Sequence, residues 1–125
     1  MSLRHPLATA KGLGSAKDGV THWWQQRLTA IALALLTPWF VVFAVSLLGA
    51  GQAEVRAAIA QPFSAMLLLA FVLSLFWHAR LGLQVVVEDY MHGALELALQ
   101  IAIKFAYALA AIAAVLAIGR IVFTA

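Results

Sequence analysis

The amino-acid sequence predicts an all-α integral membrane protein with three transmembrane helices, the N-terminus cytoplasmic and the C-terminus on the opposite side. Composition carries the class. Of 125 residues, 65% are hydrophobic and only 10% charged, and the mean hydropathy is +0.98. A soluble domain averages about 45–50% apolar and about 25% charged residues. A chain this short keeps too large a share of its surface exposed to hide that excess from water, so lipid is the solvent for most of it. The count of three comes from three apolar runs, each long enough to span a bilayer.

Residues 1–20 form a polar, basic tail in which Pro6, Gly12, Gly14 and Gly19 argue against a stable helix. No apolar run follows its basic residues as a secretory signal requires. The expectation is a cytoplasmic tail lying on a partner, with a short transit peptide as the alternative because no acidic residue precedes Asp18. Residues 21–125 are the membrane anchor domain, with helices expected over about 27–49, 62–89 and 95–123.

Thr21 to Arg27 reads as an interfacial segment, because Trp23 and Trp24 suit the headgroup zone. Leu28 to Leu48 then runs without a charge. At ~1.5 Å per residue it covers roughly 31 Å, the thickness of a hydrocarbon core. Pro38 in its middle removes one backbone donor and can kink it. Gly49 to Arg56 reads as connection, and Pro62 suits the first turn of the second helix. From Pro62 to Trp77 only Ser64 and Ser74 are polar, and the apolar character continues to Val87. A helix over 62–88 spans ~40 Å, so its last turns emerge into the interface, carrying Glu88, Asp89 and Tyr90. Gly93 supplies a tight turn. The third run, Leu95 to Phe123, holds Glu96 and Lys104 near its start, Arg120 near its end and many alanines that allow close packing.

The net charge of +3 and a pI near 9.8 do not indicate nucleic-acid binding. Arg4, Lys11, Lys17 and Arg27 precede or open the first run, whereas the first loop holds only Arg56. That asymmetry sets the N-terminus inside. The Trp-rich flank, Arg27 and the Asp89–Tyr90 end then meet on one side of the membrane. The absence of cysteine excludes disulfides, thiolate metal sites and thiol catalysis.

The side chains that can carry chemistry concentrate between Phe76 and Tyr90. His78 lies at membrane depth, where a polar group is costly and faces a bundle interior, a cofactor or a cavity. Imidazole is a common axial ligand of haem iron, and a plain hydrogen bond to a neighbouring helix is the competing role. Arg27 suits either a lipid phosphate or a carboxylate such as a haem propionate. Arg80 points away from the His78 face and is expected to snorkel to headgroups. Asp89 comes within ~20° of the His78 face on a regular helix. With the Tyr90 phenol it forms a donor and proton-exchanging pair suited to a lipid-soluble substrate such as a quinone; an interfacial Tyr beside a helix-end Asp is the plainer reading. His5, His22 and His92 are assigned no chemistry.

Two motifs together resemble one of the hydrophobic membrane anchor families of succinate dehydrogenase, respiratory complex II. One motif is His78-Ala-Arg-Leu-Gly82 followed by Glu88-Asp-Tyr90, similar to the family's H-x-x-x-G and D-Y. The other is Gln26-Arg-Leu-Thr-Ala30, similar to its R-x-T-A helix start. The resemblance covers essentially the whole chain. It implies that His78 is one axial ligand of a b-type haem shared with a second membrane anchor subunit, and that Arg27 sits near a propionate. It further implies that Tyr90 hydrogen-bonds a ubiquinone carbonyl, with Asp89 beside it in the proton path. Electrons would come from succinate through a flavoprotein subunit and an iron–sulfur subunit. The expected location is the bacterial inner membrane, ahead of the mitochondrial one. Two other classes remain open: a small proton or ion transport subunit lined by His78, Arg80 and Asp89, and a cofactor-free structural anchor.

Overall fold

A computed structural model describes residues 19–124, and these are helical apart from short links. The tail expected over 1–20 lies outside the described residues except at its end, which belongs to the first helix. Four helices follow in order: α1 (Gly19–Ser46), α2 (Gln52–Ala60), α3 (Pro62–Tyr90) and α4 (Ala94–Thr124). α1, α3 and α4 are long and apolar enough to cross a membrane.

α1 starts about eight residues before the expected position. The interfacial segment is itself helical, because backbone groups in the headgroup zone still need partners. Its side chains support one another along the helix: the Arg27 guanidinium lies 4.3 Å from the centroid of the Trp23 ring, one turn back. The helix runs uninterrupted through Pro38. It ends three residues short of the expected boundary, where Leu47 and Leu48 donate to the carbonyls three residues back and Gly49 turns at φ 82°.

α2 occupies a stretch whose first half reads in sequence as connection. Gly51 N–H donates to Glu54 Oε2 at 3.0 Å, closing the first turn from the side-chain end. The alanine-rich run that follows is intrinsically helix-forming. Gln61 separates α2 from α3, and Pro62 takes the first helical position, where its missing donor costs nothing.

α3 packs between α1 and α4 and is antiparallel to both. Thr29 and Phe40 of α1 meet His78 and Phe71 of α3. Gln100 and Tyr107 of α4 meet Gln84 and Phe76. The start of α1 and the end of α3 therefore share one end of the bundle, and Thr124 lies at the other, where Arg56 donates to its hydroxyl at 2.9 Å. Phe40 stacks on Phe71 with centroids 4.4 Å apart.

Among the described residues only Ala65, Phe71, Leu81, Val87 and Ile118 are buried. Leu35 of α1 is 73% exposed and Leu109 of α4 is 65% exposed. In water such a surface would be untenable; in lipid, whose tails are as apolar as leucine, it carries no penalty. The protein is a multi-pass membrane protein.

Candidate functional site

Where α1 crosses α3, three polar side chains meet at membrane depth. Thr29 Oγ1 donates its one proton back to the Gln25 carbonyl at 2.8 Å, with the Gln26 carbonyl at 3.1 Å. Its lone pairs stay free and face His78 Nδ1 at 3.0 Å. With that proton on the helix carbonyl, the contact forms when the ring is protonated at Nδ1 and donates to the Thr29 oxygen. Nε2 then carries the lone pair. It meets the Gln26 side-chain amide at 3.4 Å, near the limit of a hydrogen bond.

Among the described residues Gln26 Oε1 is buried without a partner, and so is His22 Nε2 one turn earlier on α1. Buried polar atoms normally find partners, and these two lie on one helix face. Gly82 lies one turn beyond His78, beside Gln26. A Cβ built there would stand 3.8 Å from Gln26 Nε2, an ordinary contact, so the packing of this chain alone does not require glycine. Chemically, the crossing offers an imidazole that in this tautomer presents Nε2 to a ligand. Its Nδ1–H is held by an outer partner, as metal-bound histidines have it. Among the described residues there is no cluster of three or more His, Cys, Asp or Glu side chains that could hold a metal ion. A haem iron needs only one axial ligand from a chain.

The other expected site residues stand apart from this crossing. Arg27 is exposed and covers the Trp23 ring. Asp89 and Tyr90 close the last turn of α3, both exposed, with Tyr90 at 77%. The helix is continuous from His78 to Tyr90, so Asp89 does fall within ~20° of the His78 face, at an axial distance of roughly 16 Å. Arg80 reaches the opposite side of α3, into a cleft shared with α4. His78 and Arg80 therefore face different neighbours and do not line one path.

Three contributors escape sequence reasoning. Gln26 and Thr29 are visible within a motif, but their meeting with a histidine about fifty positions away is not. His22 reads as an interface residue, although its spacing of four and seven from Gln26 and Thr29 puts it on the same helix face.

These features sit in a chain with clear relatives. A family model described as succinate dehydrogenase/fumarate reductase transmembrane subunit matches residues 1–119. The succinate dehydrogenase hydrophobic membrane anchor subunit of Paracoccus denitrificans is 34% identical over 116 residues, covering 92% of this chain and 89% of its own length. That of Rickettsia bellii is 38% identical over 88 residues, 70% of each chain. A succinate dehydrogenase membrane anchor subunit of Reclinomonas americana is 36% identical over 81 residues, 62% of this chain and 67% of its own. No solved structure gives a significant match. The chain belongs to the succinate dehydrogenase/fumarate reductase transmembrane subunit family, as a membrane anchor subunit of succinate dehydrogenase.

Proposed function

We propose that this anchor holds one face of a b-type haem through His78 and contributes Tyr90 and Asp89 to a ubiquinone-reducing site. The observation that carries the haem reading is the pair of contacts on the imidazole. Nδ1 faces the Thr29 hydroxyl at 3.0 Å, which leaves Nε2 with only a weak, displaceable amide contact at 3.4 Å. The residues fit the group. Gly82 leaves bare backbone one turn from the ligand, where a flat macrocycle needs room, and among the described residues no carboxylate stands beside His78 Nε2. A haem there would supply a one-electron store beside the quinone site. A second histidine to hold the same group would come from a companion membrane anchor subunit.

At the end of α3, the exposed Tyr90 phenol can donate to a quinone carbonyl, and Asp89 beside it can deliver protons from the aqueous side. Reduction of ubiquinone takes two electrons and two protons. The electrons come from succinate through the flavoprotein and iron–sulfur subunits; the protons enter through the polar end of α3. Arg27 lies at the same end of the bundle, where its guanidinium would hold a haem propionate. The cationic flank of α1 supports a cytoplasmic position for this end, with the anchor in the inner membrane of a bacterium.

Two variants of the purified complex test the reading. Tyr90→Phe is expected to leave assembly and haem content intact and to lower succinate-driven quinone reduction by about tenfold or more, the loss of a positioned proton donor. Wild-type quinone reduction in Tyr90→Phe would remove the phenol from the site. His78→Ala is expected to lose the b-type absorbance. A cofactor-free anchor would show no haem in either protein. A proton-transport subunit is disfavoured by the geometry, since His78 and Arg80 open to different sides of α3.

A further inference from the structure

On the side of α3 away from His78, a cleft of about 300 Å³ opens between α3 and α4. Its lining includes Leu73, Phe76, Trp77, Arg80, Lys104 and Ala108. Arg80 and Lys104 stand at one level on facing helices, as the neighbouring Gln84–Gln100 and Phe76–Tyr107 contacts fix the register. Each lies ten residues, roughly 15 Å, in from the α3–α4 turn. The Arg80 guanidinium is 5.7 Å from the Trp77 ring centroid, and its buried Nε has no hydrogen-bond partner among the described residues. None of the described residues lining the cleft is a carboxylate. Glu88, one turn beyond Gln84, already accepts from the Gln84 amide at 2.9 Å.

From these observations we infer that the α3–α4 cleft is a binding site for an anionic phospholipid, its phosphate held by Arg80 and Lys104 and one acyl chain lying along the apolar floor. The cleft is polarised as a lipid is. Its two cations occupy the end nearer the interface, and Leu73, Ala108 and Ala111 continue it toward the bilayer centre. Trp77 and Lys104 are exposed, so the cleft is open on its outer side. Basic pockets between transmembrane helices take anionic headgroups, since two uncompensated cations at membrane depth need a counter-charge. An arginine Nε–H with no partner inside the protein gains one from a phosphate oxygen. A zwitterionic headgroup brings its own cation near Arg80 and Lys104 and is held more weakly. This site is independent of the haem and quinone reading, because none of its residues is placed in either.

The experiment uses the whole complex, exchanged into lipid-free detergent and supplied with phosphatidylglycerol or phosphatidylcholine in mixed micelles. Native mass spectrometry reads retained lipid, and thermal unfolding reads stabilisation. Wild-type complex should retain phosphatidylglycerol and unfold at higher temperature with it, and should do both less with phosphatidylcholine. Arg80→Gln with Lys104→Gln should lower phosphatidylglycerol retention about tenfold or more, as removal of two cations at a headgroup implies. Ala108→Phe keeps both cations and fills the floor, and should lose retention equally, which keeps the test decisive if the double variant fails to assemble. Equal retention of the two lipids by the wild type, or wild-type phosphatidylglycerol retention in Ala108→Phe, would overturn the inference. So would loss of haem absorbance in Arg80→Gln with lipid retention unchanged, which would put the guanidinium on the haem instead.

Discussion

At His78 the outcome turns on a single proton. A histidine at membrane depth is ambiguous in sequence, since it can be a ligand or a side chain satisfied by its neighbours. The Thr29 hydroxyl, which also reaches the Gln25 carbonyl, faces Nδ1 and so favours Nε2 as the available nitrogen. Replacing Thr29 by valine keeps the shape and removes the acceptor. The variant complex is expected to bind haem about 10- to 100-fold more weakly, the usual cost of losing an outer partner of a metal-bound histidine. Haem retained after dilution and gel filtration measures it, and wild-type retention would show that the Thr29 contact does not set the tautomer. His78, Asp89 and Tyr90 are legible in the sequence by type and spacing. Gln26 and Thr29 are legible only as a motif, because their role depends on a crossing between residues 49 and 52 positions apart. Arg27 is legible as an interfacial cation, but its resting contact is Trp23, a pairing that the i, i+4 spacing could have suggested.

At the scale of elements, hydropathy locates the three spanning helices and leaves the ends to local chemistry. The expected ranges for α3 and α4 differ from the observed ones by one residue at most at each end, since Pro62 and Gly93 punctuate them clearly. α1 is longer than expected because charge and indole rings leave the hydrocarbon without leaving the helix. α2 escapes a hydropathy reading because its nine residues are neither apolar enough to span nor periodic enough to stand out, leaving Glu54 three places after Gly51 as the sole local cue. Two glycines give a paired prediction. Gly93 sits at φ 71°, so Gly93→Ala should cost about 1–2 kcal/mol of helix-turn stability. Gly119 lies within α4 with open space where a Cβ would point, so Gly119→Ala should be neutral or stabilising by up to about 1 kcal/mol. Thermal unfolding of the two variant complexes checks both signs. A Gly93→Ala complex as stable as wild type would mean the α3–α4 turn is not held in this geometry.

For the whole molecule, the thin interior matters most. The five buried side chains among the described residues cannot hold three long helices together as a core does in water. The joints here are an aromatic stack, a histidine crossing and a glutamine donating to a backbone carbonyl. In lipid such contacts are worth only about 0.5–2 kcal/mol each. The chain expressed without its companions should therefore be unstable in mild detergent, aggregating within a gel-filtration run. A monodisperse three-span monomer would contradict that expectation. The orphaned atoms of His22 and Gln26 leave polar capacity at the α1–α3 crossing that the described residues do not satisfy.

Electron paramagnetic resonance of the oxidised complex reads whether His78 Nε2 ligates the iron of a haem shared with a second subunit. The wild-type complex should show the low-spin signal of six-coordinate, bis-imidazole iron. His78→Ala should show a high-spin signal or no haem, and added imidazole should restore the low-spin form where haem remains. An unchanged low-spin signal in His78→Ala would mean that another residue ligates the iron.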